Sequence, residues 1–136
     1  MATGRRRGDN RVMIDVLGIT IWREARGAGT AAMVAVYHVI KNRATDPEKR
    51  WPQDMDKVCL QAYQFSCWNT NDPQRNKYPE PGDLQYQQIQ QVISAVENPD
   101  PTEGANFYYD TSIAPPDWTD QHSPVATIGS LRFYKL

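Results

Sequence analysis

Residues 19–43 decide the fold of this chain, and their first half reads Ile19-Thr20-Ile21-Trp22-Arg23-Glu24-Ala25-Arg26-Gly27-Ala28-Gly29. The second half is a largely apolar run that starts at Thr30 and ends in Lys41-Asn42-Arg43. Two glycines two residues apart disfavour one uninterrupted helix, because each costs about 1 kcal/mol relative to alanine in a helix interior. The pattern therefore predicts two helices joined by a glycine turn, with Thr30 as the N-cap of the second helix.

A carboxylate stands at the end of the first of these helices. Glu24 comes just before the two glycines, where a turn can hold a cleft open. Carboxylates are disfavoured at the negative, C-terminal end of a helix dipole, so a glutamate in this place is a candidate for chemistry. The competing interpretation is an ordinary solvated glutamate. We interpret Glu24 as the reactive group and the second helix as the wall behind it.

Length and composition indicate one globular domain. The chain has 136 residues, 40% of them hydrophobic, which is enough for a real core. Residues 1–11 form a polar leader that contains Arg5-Arg6-Arg7, and residues 12–136 form the domain. A net charge of −1 gives no overall field towards nucleic acid, so we interpret the arginines as part of a frayed terminus. No run approaches the ~20 apolar residues of a membrane helix, and no signal-peptide core follows the arginines.

The cysteines and histidines are too few for a recognisable metal site. Cys59 and Cys67 are the only cysteines, and synthesis in the cytoplasm favours two reduced thiols over a disulfide. Their spacing from His38 and His122 matches no zinc pattern. We therefore expect no metal and no cofactor, and we interpret His38 as a histidine of the core or its rim.

The rest of the pattern predicts an α+β fold that is mostly helical. Apolar spacing of three and four predicts a helix over residues 12–22. A third helix is expected with Pro52 in its first turn, and a fourth from Asp83. Residues 69–82 are interpreted as a surface loop because they contain three prolines and little apolar content. Residues 106–109 have strand composition, and residues 125–134 are expected to form a strand or hairpin, which gives a small β element near the C-terminus.

One segment combines flat rings with amide and hydroxyl groups. It reads Tyr63-Gln64-Phe65-Ser66-Cys67-Trp68-Asn69. Aromatic rings can cover the apolar faces of pyranoses while Gln, Ser and Asn reach the sugar hydroxyls. Taken alone, the segment fits an aromatic core with a turn equally well.

Several segments together resemble the cell-wall hydrolase family of the spore-cortex-lytic SleB type, which also occurs in bacteriophage endolysins. The resemblance covers about residues 12–136, nearly the whole chain. Any one motif is weak, and the ordered set is fairly specific. The matching segments are Glu24-Ala25-Arg26-Gly27, the helix that ends in Asn42-Arg43, the aromatic stretch from Tyr63 to Asn69, Gly104-Ala105-Asn106-Phe107-Tyr108, Trp118, and Ile128-Gly129 with Phe133-Tyr134.

Four residues, at three places in the chain, depart from the family pattern. Ala28 stands where the family often has a second acidic residue after Arg-Gly. Phe107 and Tyr109 replace histidines that are often found in that segment, and Leu131 replaces the histidine usual after Ile-Gly-x. The chain therefore offers no motif histidine as a base or metal ligand, which favours a mechanism that uses glutamate alone.

The resemblance implies a lysozyme-like fold, similar to lytic transglycosylases and goose-type lysozymes. It also implies cleavage of the β-1,4 bond between N-acetylmuramic acid and N-acetylglucosamine, with Glu24 as general acid. Asp72, Asp110 and Asp117 are the later carboxylates considered, and none occupies a matched catalytic position. One acid fits a lytic transglycosylase that forms 1,6-anhydromuramyl ends. A muramidase that hydrolyses the same bond is the alternative, and an N-acetylmuramoyl-L-alanine amidase or a non-catalytic peptidoglycan-binding protein ranks lower.

The same resemblance, together with side-chain chemistry, predicts the residues that bind substrate. Trp22, Phe65 and Trp68 are expected to give Glu24 apolar surroundings, which favour a protonated acid. The predicted substrate-binding residues are Arg26, Gln64, Phe65, Ser66, Trp68, Tyr108 and Trp118.

The sequence further predicts a phage endolysin that acts on peptidoglycan glycan strands. It is expected to be made in the host cytoplasm, to work as a monomer, and to bind neither nucleic acid nor membrane stably. Without an apolar export segment, it is expected to reach the cell wall or periplasmic peptidoglycan only after a holin-type pore permeabilises the membrane.

Overall fold

The computed structural model describes residues 16–25, 27–61, 79–80, 82–94 and 99–136, apart from the side chains of Gln85 and Val92. Helices come first along the chain and strands follow near its end. The helices are α1 (Val16–Ala25), α2 (Thr30–Ala44), α3 (Met55–Leu60) and α4 (Leu84–Ser94). The strands are β1 (Phe107–Asp110), β2 (Ala126–Ile128) and β3 (Leu131–Tyr134), with a short 3-10 helix (Asp117–Thr119) between β1 and β2.

Helix α2 lies at the centre of the molecule, as its apolar sequence predicted. It packs against α1, α3 and α4. Residues on several sides of α2 are buried, which explains why its sequence has no clear polar face. The buried apolar residues of α2 are Ala32, Met33, Ala35, Val36, Val39, Ile40 and Ala44.

A side-chain hydrogen bond joins α1 to the start of α4. The indole Nε1 of Trp22 donates to Asp83 Oδ2 at 3.2 Å. The other oxygen of Asp83 accepts from the backbone N–H of Tyr86 at 3.2 Å, one of the donors that a helix N-terminus leaves unpaired. Asp83 therefore both starts α4 and holds α1 beside it.

The three strands form an antiparallel sheet in the order β1-β3-β2. Strands β2 and β3 make the hairpin expected over residues 125–134, and Gly129 in its turn has φ +58°, a conformation that glycine adopts without strain. Phe133 and Leu131 of β3 are buried in the same core as the helices. The sheet is therefore packed against the helices through β3, and the pairing of β1 with β3 holds β1 beside them.

Two helix starts differ from the sequence prediction. Thr30 is the first residue of α2 and not its cap, because Gly29 occupies the N-cap position with no side-chain bond. Pro52 precedes α3, which begins at Met55 after Asp54, whose side chain accepts from the backbone N–H of Lys57 at 3.2 Å. Helix α2 therefore begins one residue earlier than predicted, and α3 begins later than predicted.

Two groups singled out in the sequence lie in the core. Cys59 is buried and Cys67 lies outside the described residues, so the expectation of two reduced thiols stays a prediction. His38 is buried, with Nδ1 4.0 Å from Asp100 Oδ1, and burial lowers its pKa. Within the described ranges, no helix is long and apolar enough to cross a bilayer, and no three His, Cys, Asp or Glu side chains cluster as metal ligands would.

Candidate active site

Glu24 is the penultimate residue of α1 and is half-buried. The hydroxyl of Tyr108, from β1, donates a hydrogen bond to Glu24 Oε1 at 2.8 Å. The two residues are 84 positions apart in the sequence, so only the folded chain brings them together. A phenol O–H on a carboxylate is a charge-assisted hydrogen bond, which is stronger than a neutral one.

The chain turns sharply just after Glu24. The backbone N–H of Ala28 bonds to the carbonyl of Ala25 at 2.9 Å, which closes the end of α1. Gly29 has φ +93° and ψ 172°, a region that is essentially restricted to glycine. Nothing lies within 4 Å of an added Cβ at Gly27 or Gly29, so the turn borders open space among the described residues. The carboxylate therefore comes just before a turn, residues 27–29, that is exposed in the described part of the structure.

Strand alternation directs Tyr108 towards the helices. Tyr108 pairs with Phe133 in the β1–β3 register, and their rings stack with centroids 5.5 Å apart. Because Phe133 is fully buried in the core, the Tyr108 ring lies on the helical side of the sheet. This packing carries the phenol oxygen to the end of α1.

The other face of β1 carries a cluster of aromatic rings. Phe107 and Tyr109 are the neighbours of Tyr108 and therefore point to the opposite face. Trp118 packs on that face, with its ring centroid 5.2 Å from Phe107 and from Tyr134 and 6.1 Å from Tyr109. Tyr108 and Trp118, predicted to share one saccharide groove, thus lie on opposite faces of the sheet. A saccharide contact by Trp118 stays a prediction.

Trp22 lies on a different face of α1 from Glu24, and the expectation that it gives Glu24 apolar surroundings stays a prediction. Residues two apart on a helix point to different faces, and Trp22 is buried with its indole bonded to Asp83. Five further predicted substrate residues lie outside the described part of the chain, as does the candidate acid Asp72. These five are Arg26, Gln64, Phe65, Ser66 and Trp68.

The two described carboxylates of the tail have other surroundings. Asp110 Oδ1 accepts from the backbone N–H of Ser112 at 2.9 Å, and this bond is the main reason why the pKa of Asp110 is lowered. Asp110 is therefore an ionised turn-forming residue. Asp117 is exposed and begins the short 3-10 helix, next to Trp118.

Arg43 is a buried cation that the sequence analysis noted only as a helix end. Its Nε donates to the carbonyl of Asn106 at 2.6 Å, and its guanidinium lies 5.1 Å from the ring centroid of Phe107 and 5.3 Å from that of Trp51. Burial lowers its pKa to about 10, and the nearby Tyr108 and Cys59 side chains oppose this effect. Arg43 is therefore still charged at neutral pH. An arginine that closes an apolar helix is the sequence signal that could have drawn attention to it.

A comparison with family models finds a match to the model described as Cell Wall Hydrolase over residues 27–134. The chain belongs to the cell wall hydrolase family. This membership confirms the resemblance stated above, and peptidoglycan is the substrate class that it supports. Tyr108 lies inside the matched region, whereas Glu24 precedes it by three residues. A comparison with curated proteins finds no match.

Two solved structures have the same fold as this cell wall hydrolase. One is the catalytic domain of the Bacillus cereus SleB protein, with 24% identity, a TM-score of 0.67, and coverage of 88% of this chain and 87% of that chain. The other is the catalytic domain of the germination-specific lytic transglycosylase SleB from Bacillus anthracis, with 23% identity, a TM-score of 0.68, and coverage of 99% and 100%. The predicted lysozyme-like α+β fold, mostly helical with a small C-terminal sheet, is confirmed.

Proposed function

We propose that this cell wall hydrolase cleaves the β-1,4 bond between N-acetylmuramic acid and N-acetylglucosamine as a lytic transglycosylase, with Glu24 as its acid and base. The hydrogen bond from Tyr108 to Glu24, beside the open turn at the end of α1, is the observation that carries this proposal. The fold shared with the catalytic domain of a lytic transglycosylase supports it.

In the first step, the Glu24 carboxyl donates its proton to the glycosidic oxygen. The bond from that oxygen to C1 of the muramyl residue breaks, and positive charge develops at C1, as in other glycosidase transition states. Glu24 becomes a carboxylate as the proton leaves. The hydrogen bond from Tyr108 strengthens at that moment, because an O–H bond to a charged oxygen is roughly twice as strong as a neutral one. Tyr108 therefore stabilises the transition state more than the ground state.

In the second step, the Glu24 carboxylate takes the proton of the C6 hydroxyl on the same muramyl residue. The C6 oxygen forms a bond to C1 and closes the 1,6-anhydro ring. Glu24 is protonated again, so the cycle neither consumes nor releases a proton. No water enters the products, and one carboxylate serves both steps.

A muramidase is the second candidate, because it cleaves the same bond with the same acid. Hydrolysis needs a water and commonly a second carboxylate at a set distance. Asp110 is engaged by Ser112 in the turn after β1, and Asp117 lies beside Trp118, which packs on the far face of the sheet. Among the described candidates, this arrangement favours the route through Glu24 alone, and Asp72 lies outside the described residues.

Glu24→Gln tests the assignment of the acid. The glutamine keeps the shape of the side chain and can still accept from Tyr108, but it cannot carry the proton. We expect a loss of at least about 10²-fold in the initial rate of sacculus clearance, with the melting temperature unchanged. Glu80→Gln, at an exposed glutamate elsewhere on the chain, is the matched control and should clear sacculi at the normal rate. Near-normal clearance by Glu24→Gln would contradict the proposal.

We also propose that the predicted substrate residues bind the glycan strand on the side of Glu24. The residues proposed for this side are Arg26, Gln64, Phe65, Ser66, Trp68 and Tyr108. Chitooligosaccharide titration into the inactive Glu24→Gln variant, followed by NMR, should shift the resonances of these residues. Trp118 provides an internal comparison, because it lies on the far face of the sheet from Tyr108. Shifts confined to Trp118 and its neighbours would support the predicted Trp118 contact alone and would contradict binding on the side of Glu24.

A further inference from the structure

Two consecutive residues at the end of α2 hold two consecutive backbone carbonyls. Asn42 Nδ2 donates to the carbonyl of Ala105 at 2.8 Å, and Arg43 Nε donates to the carbonyl of Asn106 at 2.6 Å. These carbonyls belong to the last two residues before β1. The end of α2 therefore fixes the point at which β1 begins.

The segment before this point is tied to the same helix end. Asp100 Oδ1 accepts from the backbone N–H and the hydroxyl of Thr102, at 2.8 and 2.6 Å. Asp100 Oδ2 accepts from the backbone N–H of Gly104 and from Asn42 Nδ2, both at 2.9 Å. The single amide of Asn42 thus joins the Asp100 loop to the carbonyl of Ala105.

Asn106 is anchored from its other side by the end of the chain. Its backbone N–H bonds to the carbonyl of Tyr134 at 2.9 Å. Its side chain accepts from the backbone N–H of Leu136 at 2.9 Å and donates to the carbonyl of Leu136 at 3.2 Å. Asn106 is consequently held between β3 and α2, which leaves little freedom at the start of β1.

We propose that Asn42 and Arg43 are positioning residues for Glu24, because they place β1 so that the Tyr108 hydroxyl reaches the catalytic carboxylate. This inference rests on the proposed function of Glu24. Tyr108 follows Asn106 by two residues, about 7 Å of extended strand. A hydrogen bond weakens when its atoms move by a few tenths of an ångström or its angle tilts. A shift at Asn106 is therefore transmitted to the bond between Tyr108 and Glu24.

The charge of Arg43 is hard to explain as packing alone. A buried cation gives up its hydration, and apolar side chains of similar volume often stabilise a core at least as well. Arg43 retains its charge against Phe107, the residue beside Tyr108, and the Tyr108 side chain opposes the lowering of the Arg43 pKa by burial. A cation in this place draws electron density from the phenol and strengthens its donation to Glu24.

The activity test uses Asn42→Ala and Arg43→Lys, each made alone and together with Tyr108→Phe. Each single variant should lower kcat on purified glycan strands by up to about tenfold, the loss expected when the Tyr108 hydrogen bond is removed, and leave KM within about twofold. If both residues act through Tyr108, adding either change to Tyr108→Phe should lower kcat little further. Losses that multiply fully in the double variants would overturn the inference.

A matched control separates positioning from stability. Ile40→Val removes one buried methylene from the same helix and touches neither carbonyl, so it should lower the melting temperature and leave kcat unchanged. If Ile40→Val lowers kcat as much as Asn42→Ala at an equal loss of melting temperature, the effect is structural. Asn42 is only half-buried, so Asn42→Ala folds even if Arg43→Lys does not.

A second measurement does not depend on catalysis. NMR of tyrosine-ring-labelled protein should show the Tyr108 ring resonances shifting when Glu24 is changed to Gln, because the hydrogen bond couples the two groups. In Asn42→Ala and Arg43→Lys this response should be lost. If both variants lose this response but the wild type does not cleave glycan, the positioning role of Asn42 and Arg43 is supported and the proposed function is contradicted. If the response persists in both variants while the wild type cleaves through Glu24, the positioning fails and the proposed function stands.

Discussion

Tyr108→Phe is the most informative single change in this protein. It removes one oxygen atom, the donor 2.8 Å from Glu24 Oε1, and leaves a ring that can still stack on Phe133. The variant should therefore fold normally. Any loss of activity then reports on the hydrogen bond and not on the packing of β1.

The expected magnitude follows from how the bond changes during the reaction. A hydrogen bond to a charged group contributes about 1.5–3 kcal/mol, and a neutral one about 0.5–1.5 kcal/mol. The difference, about 1–1.5 kcal/mol, is what the transition state gains as Glu24 becomes a carboxylate. Since about 1.36 kcal/mol corresponds to a factor of ten in rate, kcat should fall about tenfold. KM should hardly change, because an interaction gained only in the transition state acts on kcat.

The pH dependence of the rate provides an independent test of the hydrogen bond between Tyr108 and Glu24. A hydrogen bond donated to the ionised carboxylate favours that form, so its removal lets Glu24 keep its proton to higher pH. The pH above which activity falls should therefore shift upward in Tyr108→Phe. A shift to lower pH would contradict the contact between the two side chains.

The assay is the initial rate of turbidity loss from purified sacculi, with glycan strands for kcat and KM. Tyr109→Phe is the matched control, because Tyr109 is the next residue of β1 and faces the aromatic cluster around Trp118. It should retain full activity. Equal losses in both variants, or a Tyr108→Phe effect confined to KM, would refute the reasoning.

Three further predictions concern stability and access. The hydrogen bond from Arg50 is the main reason why the pKa of Asp46 is lowered from 3.8 to about 2. The ionised Asp46 carboxylate therefore stabilises the fold above pH 3.8, and this stabilisation is lost as the pH falls towards 2. In urea titrations, the free energy of unfolding of Asp46→Asn should depend less on pH over that range than that of the wild type. Gly29→Ala should destabilise the fold by about 1–3 kcal/mol because of its backbone conformation, whereas Gly27→Ala should change the free energy of unfolding by less than about 0.5 kcal/mol, and thermal unfolding compares them. We also propose that the protein acts as an endolysin, as the sequence predicts. Co-expression with a holin in a Gram-negative host should then cause rapid lysis that depends on Glu24, and expression without a holin should give harmless accumulation; spontaneous lysis on expression alone would contradict this role.

The central helix, the glycine turn and the C-terminal hairpin could be predicted because each depends on local sequence. Apolar residues over the length of α2 require burial whatever surrounds them, and Gly29 marks a conformation that other residues avoid. The predictions of where each helix starts were less accurate. Thr30 is a good capping residue, but the chain already turns at Gly29, so the helix begins one residue earlier than the cap assignment implied.

The separation of Tyr108 from Trp118 shows where local reasoning stops. Alternation along Phe107, Tyr108 and Tyr109 indicates that the middle ring faces away from its neighbours. It does not indicate which face the segment after Pro116 crosses, and that path decides where Trp118 packs. Composition therefore identified both aromatic residues and could not tell that they lie on different sides.

Arg43 was missed for a related reason. Its partners are the carbonyl of Asn106, 63 positions away, and rings of Trp51 and Phe107 from separate parts of the chain. A sequence pattern treats an arginine after an apolar helix as a favourable charge at the helix C-terminus. Only the packing of the sheet against α2 makes it a buried cation beside β1.

Mass spectrometry of the muropeptides released from purified sacculi tests the central proposal most directly. A lytic transglycosylase that works through Glu24 alone should release fragments with 1,6-anhydromuramyl ends, each 18 Da (the mass of one water) lighter than the hydrolysed fragment, and Glu24→Gln should release none. Reducing muramyl ends would contradict the transglycosylase mechanism and identify a muramidase. Free stem peptides with intact glycan strands would contradict cleavage of the glycosidic bond altogether.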